Sequence, residues 1–482
     1  MVWRWKRPPE SPPAEGRATW PRAEPEPPCA PRRCGVCHTD LHCIKGEVPF
    51  PQPAVFGHEI CGEVVRYGPL PADAAAARGG GGAAGANPDP ELEPNPDSNP
   101  DPSPSLALTL ALTLAGGGAG TPAGATPHPL PAGTKVISPF IMPCGSCAFC
   151  HKGEEDTCET FFALNRLKGH LYDDSTRLFT AATGEEVAMY SFAGLAEYCV
   201  VPATAVFALP EALLAAGLYE ESCILGCAFF TAFGAIRNAA GLAPRALPRP
   251  AANNGDHVGD GLATAIKKRR TEAGVVAAAA GTVAVAAEDD APRADAEPPQ
   301  SVCVIGCGGV GGCLLQLLKH LGCHPIIAVD VTDEALEQAR TLGADHLIKS
   351  SSECDAVQRI SELTGGKKVD LCFEVIGLKQ TFEQAVMAVR DGGKACFIGI
   401  SDVKTKAEVP ITHVVRRRIS LVGSYGARAS VDMPDLLEIA AKGGVDLRGA
   451  ITRRFTLEEA GEAYTLLQQR KIVGRAIVCF PG

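Results

Sequence analysis

The chain has 482 residues and a formal net charge of −10 at pH 7, with an isoelectric point near 5.6. This length exceeds one ordinary domain, and the acidic balance disfavours a general nucleic-acid binder because no basic field covers the chain. The 20 cysteines would suit a secreted disulfide scaffold. However, residues 1–6 lead into prolines and charges rather than the apolar core of a signal peptide, so we expect reduced thiols and a cytoplasmic protein.

No segment is long and apolar enough to predict a membrane span, which needs roughly 20 strongly apolar residues. The longest apolar run, residues 273–287, has 15 residues and consists mostly of Ala and Val. The run at residues 106–115 is shorter. We therefore expect neither a membrane nor a nucleic acid as a partner.

Three stretches have a composition typical of disorder. Residues 1–33 are rich in Pro, Arg and Glu, residues 69–132 are rich in Gly, Pro and Asn, and residues 243–299 are Ala, Pro and Gly with scattered charge. Such stretches cannot bury enough apolar surface to offset the entropy lost on ordering them. We interpret the last two as disordered insertions, and the basic residues 267–270 as a solvated charge run rather than a nuclear-import signal.

Short strands are predicted in the first half of the chain. The segments Pro53–Val65, Thr134–Ser138 and Ala196–Val201 have the Val, Ile and aromatic content of strands bounded by Gly and Pro.

Four cysteines lie between the last two of these segments, in the pattern C-x2-C-x2-C-x7-C: Cys144, Cys147, Cys150 and Cys158. Four thiolates so closely spaced suit one tetrahedral Zn²⁺ with no open coordination position. We therefore predict a structural zinc site, and place the chemistry elsewhere.

From Ser301 onward the pattern changes to alternating strands and helices. The predicted strands are Val302–Ile305, Ile326–Asp330, Val369–Val375 and Lys394–Ile400. The predicted helices between them are Gly311–Leu321, Glu334–Leu342 and Gln380–Val389. This alternation predicts a doubly wound parallel sheet.

A glycine-rich turn joins the first of these strands to the first helix. Gly306, Gly308 and Gly311 form the pattern G-x-G-x-x-G, which allows close backbone approach to a pyrophosphate at the helix N-terminus. Asp330 ends the next strand, where a carboxylate accepts hydrogen bonds from ribose hydroxyls and repels a 2′-phosphate. The sequence therefore predicts a dinucleotide site that prefers NAD to NADP.

Cys37 and His58 suit a second zinc site, because they offer a thiolate and an imidazole from separate loops. Each residue alone is more often structural. The residues leave the third ligand open among Cys199, Cys223 and Cys227. A Cys34–Cys37 redox pair also fits the C-x-x-C spacing, but assigning Cys37 to zinc disfavours it.

These motifs follow one another in the order found in a known family. The segments are Cys34–His42, Gly57-His58-Glu59, the four cysteines, Leu225-Gly226-Cys227 and the glycine turn. The chain resembles the medium-chain zinc-dependent alcohol dehydrogenases over residues 34–68, 133–242 and 300–482. Its Cys158–Phe179 segment is similar to the plant and bacterial branch of that family.

The resemblance implies an α/β fold with a mainly β, GroES-like catalytic domain and a Rossmann domain. We expect the catalytic domain at residues 34–228, the NAD-binding domain at 229–425, and a return to the catalytic domain at 426–482. Residues 1–33 form an atypical N-terminus, because they lack the strand pair that helps to close the catalytic domain in the family. Without such strands, sheet edges would remain unpaired.

The resemblance also implies roles for individual residues. Cys37, His58 and Cys227 would bind a catalytic Zn²⁺, with Glu59 beside the metal and Asp40 orienting His58. Thr39 and His42 match a proton relay. The residues matched to the cofactor are His38 and Arg475 at the pyrophosphate, the turn residues Gly306, Gly308, Gly309, Val310 and Gly311, Asp330 at the ribose, and Thr231, Val375, Ile398 and Gly399 at the nicotinamide.

The implied activity is reversible, NAD-linked oxidation of an alcohol to an aldehyde or ketone in a homodimer, with two Zn²⁺ per chain. The partner is a small-molecule alcohol or aldehyde. Phe140, Phe161 and Phe162 are candidate pocket residues. Alternatives are a polyol, a glutathione–formaldehyde adduct or a lignin-type aldehyde as substrate, an inactive homologue, or a zinc finger at Cys144–Cys158.

Overall fold

The computed structural model describes residues 28–65, 130–242 and 301–480. Most of the three low-complexity stretches lies outside these ranges, as do the basic residues 267–270 and both apolar runs. The predictions made for those segments therefore stay predictions.

A seven-stranded sheet forms the framework of the first half. Its order is β15-β16-β1-β3-β4-β8, with β7 also paired to β1. The strands are β1 (Pro28–Val36), β3 (Ile60–Val64), β4 (Lys135–Ser138), β7 (Cys199–Val200), β8 (Phe207–Ala208), β15 (Ile451–Thr456) and β16 (Arg475–Cys479). A three-stranded sheet, in the order β2-β6-β5, consists of β2 (Ala54–Val55), β5 (Leu178–Phe179) and β6 (Glu186–Met189).

The expectation that residues 1–33 contribute no strand was wrong for its last six residues. Strand β1 begins at Pro28 and pairs antiparallel with β3, β7 and β16. The register shifts between Pro31 and Arg33, where Pro31 has no backbone N–H to donate. On the β16 side, Arg33 pairs with Cys479. Because this partner is far away in the sequence, the composition of residues 28–33 alone did not predict the strand.

The second half contains the predicted parallel sheet. Its order is β11-β10-β9-β12-β13-β14, in which the strand order reverses between β9 and β12 as in a dinucleotide-binding fold. The strands are β9 (Val302–Ile305), β10 (Ile326–Asp330), β11 (His346–Lys349), β12 (Val369–Glu374), β13 (Val389–Phe397) and β14 (Ser420–Gly423). The doubly wound prediction is confirmed, although Val389 begins β13 rather than ending the preceding helix.

Helices flank both sheets. In the first half these are α1 (His38–Ile44), α2 (Ala148–Lys152), α3 (Glu211–Ala215) and α4 (Ala228–Gly234). On the parallel sheet they are α5 (Gly309–His320), α6 (Asp333–Thr341), α7 (Ala356–Leu363), α8 (Lys379–Ala388) and α9 (Ile411–Arg417), followed by α10 (Ala429–Ala441), α11 (Leu447–Ala450) and α12 (Ala460–Gln468).

One hydrophobic core extends through both sheets, and a smaller one lies under the outer face of the parallel sheet. The helical run Glu221–Ala239 crosses the larger core. This run is the one described segment long and apolar enough to span a membrane, with 19 residues and a mean hydropathy of 1.3. Because 89% of its apolar window is buried inside the fold, it has the character of a core helix.

Candidate active site and metal centres

Four potential metal ligands converge beside α1. Cys37, His58, Glu59 and Cys227 each offer one donor atom, and these atoms all lie within 4.8 Å of one another. All four residues are buried. Of the three cysteines left open by the sequence, only Cys227 belongs to a ligand group found among the described residues. Two thiolates and an imidazole suit Zn²⁺, so the donor set fits the predicted metal.

The fold holds these donors at the ends of elements, where backbone direction changes. Cys37 precedes α1, with φ −119° and ψ 146°. Cys227 lies at the junction between a 3₁₀ turn (Glu221–Gly226) and α4. His58 follows Gly57, whose φ of +95° disfavours any side chain, and a Cβ there would lie 2.6 Å from the backbone nitrogen of Leu195. Glycine is therefore required to aim His58 inward.

A buried hydrogen-bond chain orients His58. Its Nδ1 lies 2.9 Å from Asp40 Oδ1. The Tyr464 hydroxyl donates to Asp40 Oδ2 at 2.8 Å, and the Gly57 N–H reaches Asp40 Oδ1 at 3.4 Å. Asp40 has no exposed surface and His58 has 1%. With Nδ1 bonded to Asp40, Nε2 of His58 is available to bind a metal. A carboxylate hydrogen-bonded to one ring nitrogen commonly orients a metal-binding histidine in this way. The structure brings Asp40 and His58 together, as the resemblance implied, whereas Tyr464 was not among the residues predicted from the sequence.

The side chains of this donor set shift one another's pKa values. A hydrogen bond from Cys227 lowers the pKa of the Cys37 thiol well below its usual value against the effect of burial, and His58 contributes in the same direction. Burial lowers the pKa of His58, but Asp40 and Cys37 outweigh it and raise that pKa to about 10. Because zinc binds thiolate and neutral imidazole, metal binding here releases protons.

Glu59 and Arg475 form a buried ion pair beside this donor set. Their side chains are 0% and 5% exposed. A Cβ at Gly309 would meet the Arg475 side chain, so the same guanidinium packs against the glycine turn. Arg475 thus connects the metal site to the predicted pyrophosphate site.

The predicted relay residues lie on α1, at the entrance to the metal set. Thr39 Oγ1 is 3.5 Å from Cys37 Sγ. His42 Nδ1 lies 2.6 Å from a carboxylate oxygen of Glu47, a partner that the sequence analysis did not identify. His38 is exposed, and Thr39 and His42 are half-buried. These three side chains therefore remain open to a ligand or to solvent.

Aromatic rings surround His58. The rings of Phe140 and Tyr190 have centroids 5.7 and 5.5 Å from the imidazole. Phe140 also packs edge-on against Phe230 and Tyr425. Of the other candidate pocket residues, Phe161 is fully buried, and Phe162 packs against Tyr425 at 5.6 Å. An apolar wall on this side excludes water from the donor set.

Arg166 braces this wall from behind. Its guanidinium lies over the rings of Phe161 and Tyr190, at 4.5 and 4.2 Å from their centroids. It also donates to the Phe140 carbonyl oxygen at 3.4 Å and to Ser191 Oγ at 3.0 Å. The positive charge of Arg166 is thus stabilised by cation–π contacts and by hydrogen bonds to neutral oxygen acceptors.

The glycine turn has the backbone form that a pyrophosphate cradle needs. Gly306 has φ +100°, and a Cβ added at Gly308 would meet no atom within 4 Å, so the space above the turn is open. At the end of β10, Asp330 Oδ2 accepts the Cys307 N–H at 2.8 Å, while Oδ1 accepts the Val331 N–H at 2.7 Å. These residues fit a dinucleotide.

The remaining cofactor candidates lie near the carboxyl ends of the parallel strands or on α4. Val310 is in the first turn of α5, and Val375 directly follows β12. Ile398 and Gly399 follow β13 and line a cavity of about 450 Å³, together with Asp156 and Tyr425. The Thr231 N–H donates to the Cys227 carbonyl oxygen at 2.7 Å, which places Thr231 one helical turn beyond Cys227.

The four-cysteine lobe forms a second donor set. The sulfurs of Cys144, Cys147, Cys150 and Cys158 all lie within 4.8 Å of one another. Backbone N–H groups point at these sulfurs, among them Cys147 N to Cys144 Sγ and Cys144 N to Cys158 Sγ, both at 3.3 Å. Such donors stabilise thiolates, so the lobe fits a closed, structural Zn²⁺.

Comparison with known proteins agrees with both halves of this arrangement. Residues 30–79 and 105–211 match the alcohol dehydrogenase GroES-like domain, and residues 309–442 match the zinc-binding dehydrogenase domain. The chain is 24% identical over 452 residues to an alcohol dehydrogenase of Geobacillus stearothermophilus, covering 93% of this chain and 90% of that protein. It is 31% identical over 170 residues to an L-idonate 5-dehydrogenase of Vitis vinifera, covering 35% of this chain and 45% of that protein.

The fold has a solved counterpart as well. An alcohol dehydrogenase zinc-binding domain protein from Burkholderia ambifaria superimposes with a TM-score of 0.65 at 22% identity, covering 95% of this chain and 92% of that one. The chain belongs to the medium-chain zinc-dependent alcohol dehydrogenase family. Its placement in the plant and bacterial branch stays a prediction.

Proposed function

We propose that the protein catalyses reversible, NAD-linked oxidation of an alcohol to an aldehyde or ketone. The observation that carries the proposal is the convergence of Cys37, His58 and Cys227 in one buried donor set. Bound zinc would supply Lewis-acid polarisation of the alcohol oxygen, and bound NAD would accept the hydride. Arg475 supports a zinc site and a NAD site that lie next to each other, because its side chain contacts both Glu59 and the glycine turn.

The chain's own residues provide the proton path and the orientation of the metal ligands. Asp40 holds the Nδ1 proton of His58 and so directs Nε2 toward the metal. Thr39 is suited to pass on the substrate's proton through its hydroxyl, and the His42 imidazole is suited to receive it. Glu47, 2.6 Å from His42 Nδ1, fixes the imidazole so that its other nitrogen faces outward.

The pocket wall favours a substrate with an apolar or aromatic body. Phe140 and Tyr190 line the side of His58 with ring faces and edges rather than with the many polar groups that a polyol would need. A polyol or a glutathione–formaldehyde adduct stays the alternative. The polyol reading draws support from the similarity to a protein named for L-idonate. The inactive homologue also stays an alternative; against it, β1 supplies part of the strand pairing that residues 1–33 were expected to lack.

We propose two zinc ions per chain, one catalytic and one structural, and the two donor sets support this count. For NAD over NADP, the support is the carboxylate of Asp330 at the end of β10. We retain the domain limits 34–228, 229–425 and 426–482 as a proposal, with the first extended to Pro28. A cytoplasmic location agrees with the thiols, since every cysteine whose side chain the structure describes, from Cys34 to Cys479, is a free thiol.

We also propose a homodimer formed through the Rossmann domain. Strand β14 is at the edge of its sheet in the described part of the chain. Nearby apolar side chains are exposed, with Ile411 at 80%, Val415 at 68% and Leu421 at 39%. An apolar edge of this kind is normally covered in a soluble protein.

The proposal is tested by assaying primary alcohols, polyols and aldehydes with NAD and NADP while quantifying zinc. Cys37→Ala should abolish turnover and leave NAD binding intact, because the glycine turn is untouched. Cys354→Ser is the matched control, since Cys354 belongs to neither donor set. Turnover that persists after the catalytic zinc has been fully removed would refute the assignment.

A further inference from the structure

The C-terminal helix α12 reaches the metal site through one hydroxyl group. Tyr464 lies 424 positions from Asp40 in the sequence, yet its Oη is 2.8 Å from Asp40 Oδ2. Tyr464 is 9% exposed and Asp40 is 0% exposed, so water has little access to this contact. No motif in the sequence points to Tyr464.

The two oxygens of Asp40 have separate donors. Oδ1 accepts from His58 Nδ1 at 2.9 Å and from the Gly57 N–H at 3.4 Å. Oδ2 accepts a hydrogen bond from the Tyr464 hydroxyl and, within the described ranges, from no other side chain. If that hydroxyl were removed, a buried carboxylate oxygen would lose its partner, which is costly enough to drive rearrangement.

The carboxylate would then be free to rotate toward other donors. His58 depends on Oδ1 to hold its Nδ1 proton, and only that tautomer leaves Nε2 available to a metal. Rotation of Asp40 therefore loosens a metal ligand two hydrogen bonds away from Tyr464.

We propose that Tyr464 is a positioning residue for the catalytic metal, acting through Asp40 on His58. The proposal rests on the proposed function, because it takes Cys37, His58 and Cys227 as the metal ligands. It assigns the C-terminal segment a direct part in the metal site. Strand β16, which follows α12, adds a second contact through the Arg475–Glu59 ion pair.

A purely structural role for Tyr464 makes a different prediction. Its ring packs into the main core, and phenylalanine would fill that space equally well. Only the hydroxyl distinguishes the two roles, so Tyr464→Phe is the informative substitution. Tyr198→Phe is the matched control, because Tyr198 is 60% exposed and belongs to no part of the site.

The experiment measures the zinc affinity of the full-length protein by competition with a chromogenic chelator. The visible absorption spectrum is also recorded for each protein after its zinc has been replaced by Co²⁺. Tyr464→Phe should weaken the Cys37–His58–Cys227 site about tenfold, the lower end of the range for second-sphere partners. The four-cysteine lobe should keep its metal, and Tyr198→Phe should match the wild type at both sites. Co²⁺ bands from the catalytic site should shift in Tyr464→Phe alone.

A double-mutant cycle with Asp40→Asn tests the route of the effect. If Tyr464 acts through Asp40, Tyr464→Phe should change the affinity little once Asp40→Asn is present. Unchanged catalytic-site affinity in Tyr464→Phe, equal weakening of both metal sites, or additive effects in the cycle would each overturn the inference. Absence of metal from the 37–58–227 site in the wild type would instead overturn the proposed function.

Discussion

At the scale of single residues, the site depends on two acidic side chains that are buried completely. Asp40 and Glu59 are each 0% exposed, and each is matched by a partner from the C-terminal segment. A buried carboxylate without a partner is strongly destabilising, and its partner need not be near it in sequence. The metal site is therefore stabilised by residues far from its own motifs.

Asp330 is expected to decide between the two nicotinamide cofactors. Asp330→Asn removes the charge that repels a 2′-phosphate and keeps one oxygen to accept the Val331 N–H. We expect kcat/KM with NADP relative to NAD to rise about tenfold, which corresponds to roughly 1.4 kcal/mol. Steady-state kinetics with both cofactors measure this ratio.

The control for this change is Asp333→Asn, at a side chain that is 76% exposed and paired with Lys349 at the surface. Its cofactor ratio should equal that of the wild type. An unchanged ratio in Asp330→Asn would show that the carboxylate does not select the cofactor.

At the scale of elements, the four-cysteine lobe docks on α10. Glu155, in a 3₁₀ turn of the lobe, accepts the Ser430 N–H at 2.8 Å and the Ser430 hydroxyl at 2.5 Å. Because Ser430 lies in the first turn of α10, the carboxylate satisfies a helix-end donor and complements the helix dipole. Glu155 thus connects the lobe to the helix that follows the parallel sheet.

Loss of the structural zinc should therefore weaken more than the lobe itself. Cys150→Ser removes one of four ligands, and we expect one metal fewer per chain and a lower Tm, because the turn that carries Glu155 loses its cross-link. Limited proteolysis should cut within residues 144–158. Metal analysis, thermal unfolding and mass spectrometry of fragments test these outcomes.

Cys354→Ser should leave the metal content and Tm unchanged, as Cys354 contributes to no ligand group. A Cys150→Ser protein that retains two metals and the wild-type Tm would contradict a structural role for the lobe.

The start of the parallel sheet carries a pH-dependent link between β9 and β12. Asp370 accepts the N–H and the hydroxyl of Ser301 at 2.9 and 2.7 Å, and Arg390 Nε at 2.5 Å. Burial raises the pKa of Asp370, but these hydrogen bonds outweigh it and hold the pKa below its usual range. A depressed folded-state pKa means that the stabilisation is present above the unfolded pKa of about 3.9 and lost as pH falls through the folded value.

Asp370→Asn should accordingly lower the free energy of unfolding at pH 7 by about 1 kcal/mol, the usual size for such hydrogen bonds. The difference from the wild type should shrink as the pH falls below about 4, where the carboxyl of the unfolded chain becomes protonated, and should be lost once the pH passes below the depressed pKa of the folded state. Urea unfolding across this pH range measures it, with Asp391→Asn, whose side chain is 69% exposed, as the control. A difference that does not vary with pH would contradict the ionic contribution of Asp370.

At the scale of the whole molecule, the larger of the two hydrophobic cores is shared by both sheets. The run Glu221–Ala239 carries Cys227 in the candidate donor set and then continues against α5 and α10. The candidate metal ligand and the glycine turn that precedes α5 are thus joined through one packed core.

The proposed dimer makes a prediction at this scale. Leu421→Glu places a charge on the exposed face of the edge strand β14, and we expect it to convert a dimer into monomers, because the charge would be buried without a partner. Light scattering should give twice the chain mass of 50.2 kDa for the wild type and the chain mass for the variant.

Leu167→Glu, at a side chain that is 71% exposed in the first half, should stay dimeric. A monomeric wild type, or a Leu421→Glu protein that remains dimeric, would contradict this interface.

The sequence by itself determined the features that depend on neighbouring residues. The spacing of Cys144, Cys147, Cys150 and Cys158 brings four sulfurs together within one short loop, and the strand–glycine–helix pattern at Val302–His320 requires only local backbone geometry. Short apolar runs likewise predicted strands β9, β10 and β12, which are buried along most of their length.

Only the tertiary structure decided the features that join distant segments. The pairing of β1 with β16 and the contact of Tyr464 with Asp40 join residues more than 400 positions apart. The grouping of Cys227, rather than Cys199 or Cys223, with His58 was open on the residues alone and was implied only by the family resemblance. Local composition carries no record of such partners, because a buried polar group is satisfied by whichever donor the packing brings within hydrogen-bond distance.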